Sequence, residues 1–299
     1  MKKEARKNTG KMFGSIYPDT VCWRITSSCN RNCPFCYRPD TANLRIQQAE
    51  KILDLLHAMN TKYLGITGGE PLTRNYITRL LEYAKGKGFK ICLATNADFF
   101  KKHREEIFRC VDAIGLPLES PEARIHDSLR GNNSLRNIKL ALRDILENSD
   151  LPVYFTTVLT SKNRNDMEKI ERVLSRFKER VIYWKIYEIV DYKGREHQKT
   201  RNLRISAREM DLRNLGRFLG KDKIFYLPAM KRCRSYFLIN PNGDVVVPRK
   251  RGKKTEDLII GNLLKDDYKE ILGRWRKETD LREYRRHLCA LKLKESGAF

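Results

Sequence analysis

No apolar run in this 299-residue chain reaches the roughly 18 residues that a helix needs to cross a bilayer. Histidine is scarce: there are five, and none precedes His57, so none is at hand to complete a metal site near the start of the chain. Cysteines that could pair into a framework are missing too. Of the eight, Cys22, Cys92, Cys110, Cys233 and Cys289 are scattered singly, which excludes the disulfide scaffold of a small secreted domain. Acidic side chains are few beside basic ones, 37 against 61, for a net charge of +24. That balance favours an anionic partner or substrate such as a nucleic acid, nucleotide, acidic peptide or membrane surface. A solvated Lys/Arg surface is the plain alternative. No repeat of fixed period is present, and the one biased tract is "RKRGKK" at 249–254. The N-terminal "MKKEARKNTGKMFGS" is basic but lacks the apolar stretch of a secretory signal, so residues 1–17 are expected to be a flexible basic arm on a cytoplasmic protein.

What the chain has is alternation. Between residues 20 and 191, "TVCWRIT", "YLGIT", "KICLATN", "AIGLPLE", "VYFTTVLT" and "VIYWKIYEIV" read as buried strands. Cys22 and Cys92 fall inside such runs and read as small buried hydrophobes. Stretches such as "IQQAEKILDLLHAM", "NYITRLLEYAKGKG", "FFKKHREEIFRCV", "SLRNIKLALRDILEN" and "NDMEKIERVLSRFKER" lie between the strands, with apolar residues at helical spacing. Six strands separated by helices predict right-handed βαβ units and a parallel sheet, either doubly wound or a partial barrel. After residue 191 the rhythm breaks. A polar, basic stretch at 192–204 leads to a helix candidate with Ser206 and Glu209 at capping-box spacing. Then "YFLINPNGDVVVP" predicts a hairpin, and the tail from "DDYKEIL" onward looks helical. The expected units are therefore 1–17, 18–191 and 192–299.

The densest chemistry is in "ITSSCNRNCPFCYRPD", which places Cys29, Cys33 and Cys36 within eight positions. A structural zinc site needs four ligands, and the fourth would have to come from far away. A thioredoxin-like switch needs only Cys33 and Cys36, leaving Cys29 surplus. The spacing also suits a loop wrapping a cubane, one thiolate to each of three irons, with the fourth iron open to a chelating substrate. The loop follows the first strand, at the carboxyl end where parallel α/β proteins build active sites.

Directly after the second strand stands "YLGITGGEP" with Gly68, Gly69, Glu70 and Pro71. With the three cysteines and the aromatic Phe35, this resembles the radical S-adenosylmethionine (SAM) superfamily and its GGEP segment. The resemblance covers roughly residues 18–191 and implies a partial (β/α)6 barrel with a smaller C-terminal α+β cap. It implies one [4Fe–4S] cluster on Cys29, Cys33 and Cys36, whose free iron chelates the amino and carboxylate groups of SAM. The glycines would let the backbone approach the methionine part, with carbonyls and the Glu70 carboxylate meeting its ammonium group. Asn96, in "ATNAD", would face the SAM ribose or carboxylate, and Ala97 replaces the glycine usual there. In "GLPLESPEARIHDSLRG", Glu119 and Ser120 stand where relatives have Asp-Gly, and Ser120 and Arg130 fall at SAM-contacting positions, Arg130 toward the carboxylate. His126 reads as structural, His57 receives no role, and His103, His197 and His287 lie among charges and read as solvated.

The segment "CRSYFLINPNGDVVVP" followed by "IGNLLKDDYKEIL" resembles the SPASM and twitch branch, which includes peptide-modifying enzymes. Val247, Pro248 and Arg249 fill the place of a further cysteine, so Cys233 and Cys289 cannot supply four ligands and a cluster-less cap is expected. The chain's proportions are also similar to viperin-like proteins. Peptide or protein modification is thus one reading of the substrate, and nucleotide or RNA modification the other. A ferredoxin or flavodoxin is the implied electron donor. A non-catalytic iron–sulfur or nucleic-acid-binding protein would explain the charge but leaves GGEP unexplained.

Overall fold

A computed structural model describes residues 17–192, 200, 202–205, 214–252 and 254–286. Six strands follow the chain in order: β1 (Thr20–Arg24), β2 (Tyr63–Thr67), β3 (Lys90–Ala94), β4 (Ala113–Pro117), β5 (Val153–Leu159) and β6 (Val181–Glu188). Each is parallel to the next, with registers such as Cys22 opposite Gly65 and Thr156 opposite Lys185. The intervening helices are α1 (Ile46–Ala58), α2 (Ile77–Gly86), α3 (Arg104–Cys110), α4 (Ala123–Arg130), α5 (Ser134–Asn148) and α6 (Met167–Ser175). This is the expected α/β architecture. The last third of the chain extends the same sheet at both edges. Strand β7 (Ile224–Leu227) lies parallel to β6, β8 (Leu238–Ile239) lies parallel to β1, and β9 (Asp244–Arg251) and β10 (Lys254–Asn262) continue from β8 as antiparallel strands. The hairpin read at Asn-Pro-Asn-Gly-Asp joins β8 to β9, with Gly243 at φ +87°. Helices α7 (Tyr268–Glu278, N-capped by Asp267) and α8 (Leu281–Arg286) follow. The expected arm at 1–16, most of the 192–204 stretch, the Ser206/Glu209 cap, His197, His287, Cys289 and Lys253 of the basic tract lie outside the described residues.

The period of two within each strand sorts side chains between two interiors. Val21, Trp23, Leu64, Ile66, Ile91, Leu93, Ile114, Leu116, Phe155, Trp184 and Ile186 face the helices and form the main core with α1, α2, α5 and α6. The opposite face of the strands is smaller and more polar. It carries Cys22, Gly65, Cys92, Tyr154, Tyr183 and Lys185, which line one cavity. Because β1, β2, β3, β5 and β6 all contribute to that cavity, this face of the sheet is concave, as in a partial barrel. Gly115 on β4 makes the curvature possible: a Cβ there would come 2.2 Å from the Tyr154 ring, which lies across it.

Candidate active site

The cavity is about 390 Å³ and is lined at its mouth by Cys33, Phe35, Cys36, Gly68 and Arg130. The cysteine loop leaves the end of β1 and is pinned by backbone bonds rather than by regular structure. Gly69 N–H donates to Thr26 O at 2.7 Å and Glu70 N–H to Ser28 O at 2.9 Å. These bonds need glycine. A Cβ on Gly68 would meet Thr26 O at 2.5 Å, and one on Gly69 would meet Ser28 O at 2.0 Å. The expected close approach is therefore made to the cysteine loop, with Gly68 also bordering the cavity. All three loop cysteines are free thiols, and each lies within electrostatic reach of the next, Cys29 of Cys33 and Cys33 of Cys36. Burial pushes the thiols of Cys29 and Cys33 up, while Arg130 pulls Cys33 back down. Arg31 N–H points at Cys29 Sγ at 3.4 Å. Among the described residues, no three Cys, His, Asp or Glu side chains converge closely enough to hold a single ion. A cluster that takes one thiolate per iron does not require that convergence. Thiolates spread along one loop and opening onto a cavity are a donor set that fits it.

Glu70 is placed differently from the expected ammonium contact. Its carboxylate is 1% exposed, and both oxygens are occupied from within. Leu72 N–H and Thr95 Oγ1 donate to Oε1 at 3.1 and 2.7 Å, and Asn96 N–H donates to Oε2 at 2.7 Å. Burial pushes its carboxyl up to about 7 against the pull of these donors. The side chain is a brace between the ends of β2 and β3, so the surface that the segment can offer a ligand is backbone. Pro71 is buried at the first position of the 3₁₀ turn Pro71–Thr73, where a missing N–H costs nothing. Asn96 is also engaged. Its Nδ2 donates to Asn30 Oδ1 at 2.9 Å and its Oδ1 accepts from Asp98 N–H at 3.0 Å, binding the end of β3 to the cysteine loop. Ala97 takes φ +67°, the left-handed conformation that glycine adopts freely.

Arg130 lines the cavity beside the cysteines and stacks over Phe35 at 5.1 Å. Its Nε donates to Glu119 Oε1 at 2.8 Å, so the guanidinium expected to await a carboxylate already holds one from the protein. Glu119 is fully buried and also accepts from Val158 N–H at 2.7 Å. Ser120 faces away from the cavity: it is fully buried and donates to Asp166 Oδ2 at 2.6 Å. His126 is structural, as read. It is buried, Nδ1 accepts from Glu119 N–H, Nε2 meets Ser134 Oγ, and burial holds the ring neutral by lowering it to about 3. His103 departs from its expected solvated state: it is buried, and burial lowers its pKa.

Two groups that sequence reasoning missed complete the site. Arg31, between the first two cysteines, donates through Nε to Asp98 Oδ2 at 2.6 Å and through Nη1 to Arg130 O at 2.9 Å. Asp98 also accepts from Asn30 and Asn137. One buried ion pair thus ties the loop to β3, α4 and α5. The other group is Lys185, whose signal was available: it is a lone charge on the inward face of an apolar strand, between Tyr183 and Tyr187.

A profile of the radical SAM superfamily matches residues 23–174, half of the chain, including the three cysteines and GGEP. The chain belongs to this superfamily. Among its radical SAM relatives, the AdoMet-dependent heme synthase of Methanosarcina barkeri is 26% identical over 159 residues, 51% of this chain and 46% of that protein. Mycofactocin maturase MftC of Mycobacterium tuberculosis is 25% identical over 166 residues, 54% of this chain and 42% of its own. The matches thus span under half the length of these curated relatives. In fold, anSMEcpe, solved with bound AdoMet and the Cp18Cys peptide, superposes with a TM-score of 0.66 at 15% identity over 89% of this chain and 83% of its own.

Proposed function

We propose that this chain is a radical SAM enzyme in which Cys29, Cys33 and Cys36 hold one [4Fe–4S] cluster and SAM takes the open coordination position. The observation that carries this reading is the continuity of one cavity from Cys33, Cys36 and Gly68 at the strand ends to Cys22, Tyr183 and Lys185 within the sheet. When bound, a [4Fe–4S] cluster held by these three thiolates would supply one electron for reductive cleavage of SAM and so enable hydrogen abstraction from the substrate. The chain's own part is positioning and exclusion. Arg31 and Asp98 fix the loop, and Glu70 locks the turn after β2. Tyr154, Tyr183, Tyr187 and Tyr236 wall the interior from solvent and its dissolved oxygen, which traps carbon radicals. Gly68 offers backbone at the mouth, and Arg130, held by Glu119, sets positive charge beside the thiolates.

Peptide or protein modification is the leading substrate reading. It is supported by the maturase relative and by the fold shared with a peptide-bound structure. The surplus of basic residues, 28 against 14 acidic over 192–299, favours a nucleotide or RNA as the second reading. Binding that falls steeply with salt would select the second. A ferredoxin or flavodoxin is the proposed electron donor. Among the described residues no helix is long and apolar enough to cross a membrane. The C-terminal segment is proposed as a cap without a cluster of its own, since Val247, Pro248 and Arg249 fill the place of a further cysteine after Cys233. The test is anaerobic reconstitution followed by SAM and dithionite. The reading requires 5′-deoxyadenosine from the wild type and none from Cys33→Ala. Full iron loading without SAM cleavage would overturn it.

A further inference from the structure

Among the described residues, five cations and no Asp or Glu line the cavity: Arg24, Arg38, Arg130, Lys185 and Arg232. Two are neutralised from behind, Arg24 by Asp257 at 2.7 Å and Arg130 by Glu119. Lys185 is different. It is 8% exposed, points from β6 into the cavity, and has no acceptor or carboxylate within bonding reach among the described residues. Its one close contact is the face of Tyr183, 4.4 Å away. It lies three residues before the end of β6, about 10 Å below the rim that carries the cysteine loop. Arg232 lines the same cavity, stacked over Tyr187 at 5.0 Å. Its Nη2 donates to Glu188 O, but its buried Nε has no partner. A buried lysine and a half-buried arginine thus face one cavity with no carboxylate among the described residues that line it, a lining suited to an anion.

We propose that Lys185 and Arg232 bind an oxyanion of the substrate, a carboxylate or a phosphate, Lys185 from within the barrel and Arg232 from the end of β6 beside Tyr37, so that the substrate is held against the cysteine loop. The proposal rests on the radical SAM reading of that loop. Lys185 supplies a compact point charge and Arg232 a fork with one edge already held in place. Arg232 also faces the ring of Tyr37 at 5.8 Å. The buried titratable groups walling this part of the cavity include Tyr154, Tyr183, Tyr187 and Tyr236, together with Cys22. All are shifted toward their neutral forms by burial, so none competes for the cations as an anion.

Pyridoxal 5′-phosphate tests this directly, because it forms an imine with a lysine and carries a phosphate, whereas pyridoxal carries none. The cluster-loaded full chain is treated anaerobically with each reagent, reduced with borohydride, and mapped by peptide mass spectrometry. Because free pyridoxal closes on its own 5′-hydroxyl as a less reactive hemiacetal, surface lysines set the baseline ratio of the two rates, and Lys185 is expected to exceed that ratio about tenfold. Inorganic pyrophosphate or N-acetylglutamate should protect it, the first pointing to a phosphate source and the second to a carboxylate. Arg232→Met should reduce the preference without abolishing the pyridoxal reaction. A rate ratio at Lys185 no greater than that of surface lysines, or labelling of Lys185 that neither anion suppresses, overturns the proposal. The readout is separate from SAM cleavage. An enzyme that forms 5′-deoxyadenosine but shows no preference at Lys185 loses only this inference. Preferential labelling without SAM cleavage would leave the anion site standing and remove the enzyme reading.

Discussion

Replacing Lys185 by methionine should make the protein more stable at neutral pH. Burial without a counterion lowers this lysine from its ordinary 10.5 to about 8. The folded state therefore binds its proton less tightly than the unfolded chain does. At pH 7 the lysine is charged in both states, and the folded state bears the full difference, about 3 kcal/mol at 1.36 kcal/mol per pH unit. As pH rises through 8 the folded lysine loses its proton while the unfolded one keeps it. Stability then rises, and the penalty is gone above 10.5. Methionine has a similar length and no charge, so Lys185→Met removes the penalty at every pH. Its melting temperature should exceed that of wild type by roughly 6–10 °C at pH 7, with the gap closing progressively between pH 8 and 10. Anaerobic thermal unfolding across that range measures the gap, and the nearby tyrosines and Cys22 cancel in the difference. A variant less stable than wild type at pH 7, or a gap that does not change with pH, would show that the ammonium group is hydrated or paired after all.

Arg31→Ala removes one partner of the buried pair with Asp98, which should cost about 3 kcal/mol and speed the release of cluster iron to a chelator; Arg31→Lys should restore part of the retention. Gly69→Ala forces a Cβ against Ser28 O and should lower iron per chain after reconstitution, measured by iron assay against protein mass; normal loading would mean that the loop can yield. Glu119→Ala strands Arg130 in a buried site and should destabilise the fold by about 3 kcal/mol in denaturant titration, more than Glu119→Gln, which keeps an acceptor. Wild-type chain should load about four irons, and a value near eight would contradict a single cluster.

The barrel was legible because its determinants are local. Alternation in "KICLA" or "VYFTTVL" assigns one face to the helices and one to the interior, and the helical stretches bury the periodic positions that their spacing indicates. The hairpin turn carried its own signature in Asn-Pro-Asn-Gly. The pairing of β7 and β8 with opposite edges of the sheet was not legible: β7 has four residues, β8 has two, and their partners β6 and β1 are set by tertiary contacts. The site divides in the same way. Cysteine spacing and GGEP are contiguous motifs. The partners of Glu70, Arg31 and Arg130 come from 25, 67 and 11 residues away and have no local signal. His103 was misread because its sequence neighbours are charged; they point outward while the ring packs inward.

The contacts around the mouth change what the motif residues are for. Side chains that a ligand was expected to meet are largely used up by the protein: Glu70 on three donors, Asn96 on Asn30 and Asp98, Ser120 on Asp166, and Arg130 on Glu119. These residues fix the ends of β2, β3 and β4 against a loop that has no regular structure of its own. A loop of that kind can hold three thiolates at a set spacing only if its backbone is tied at several points, because the ordering entropy of the loop opposes cluster binding. Gly69 and Glu70 tie it near Thr26 and Ser28, and Arg31 ties it between Cys29 and Cys33. Lys185, which has no hydrogen-bond partner among the described residues, lies away from this bracing and deeper in the barrel, with Arg232, half satisfied by Glu188 O, above it beside Tyr187. Rigidity is concentrated at the loop proposed to hold the cluster, and unpaired charge at the position proposed for the substrate's anion.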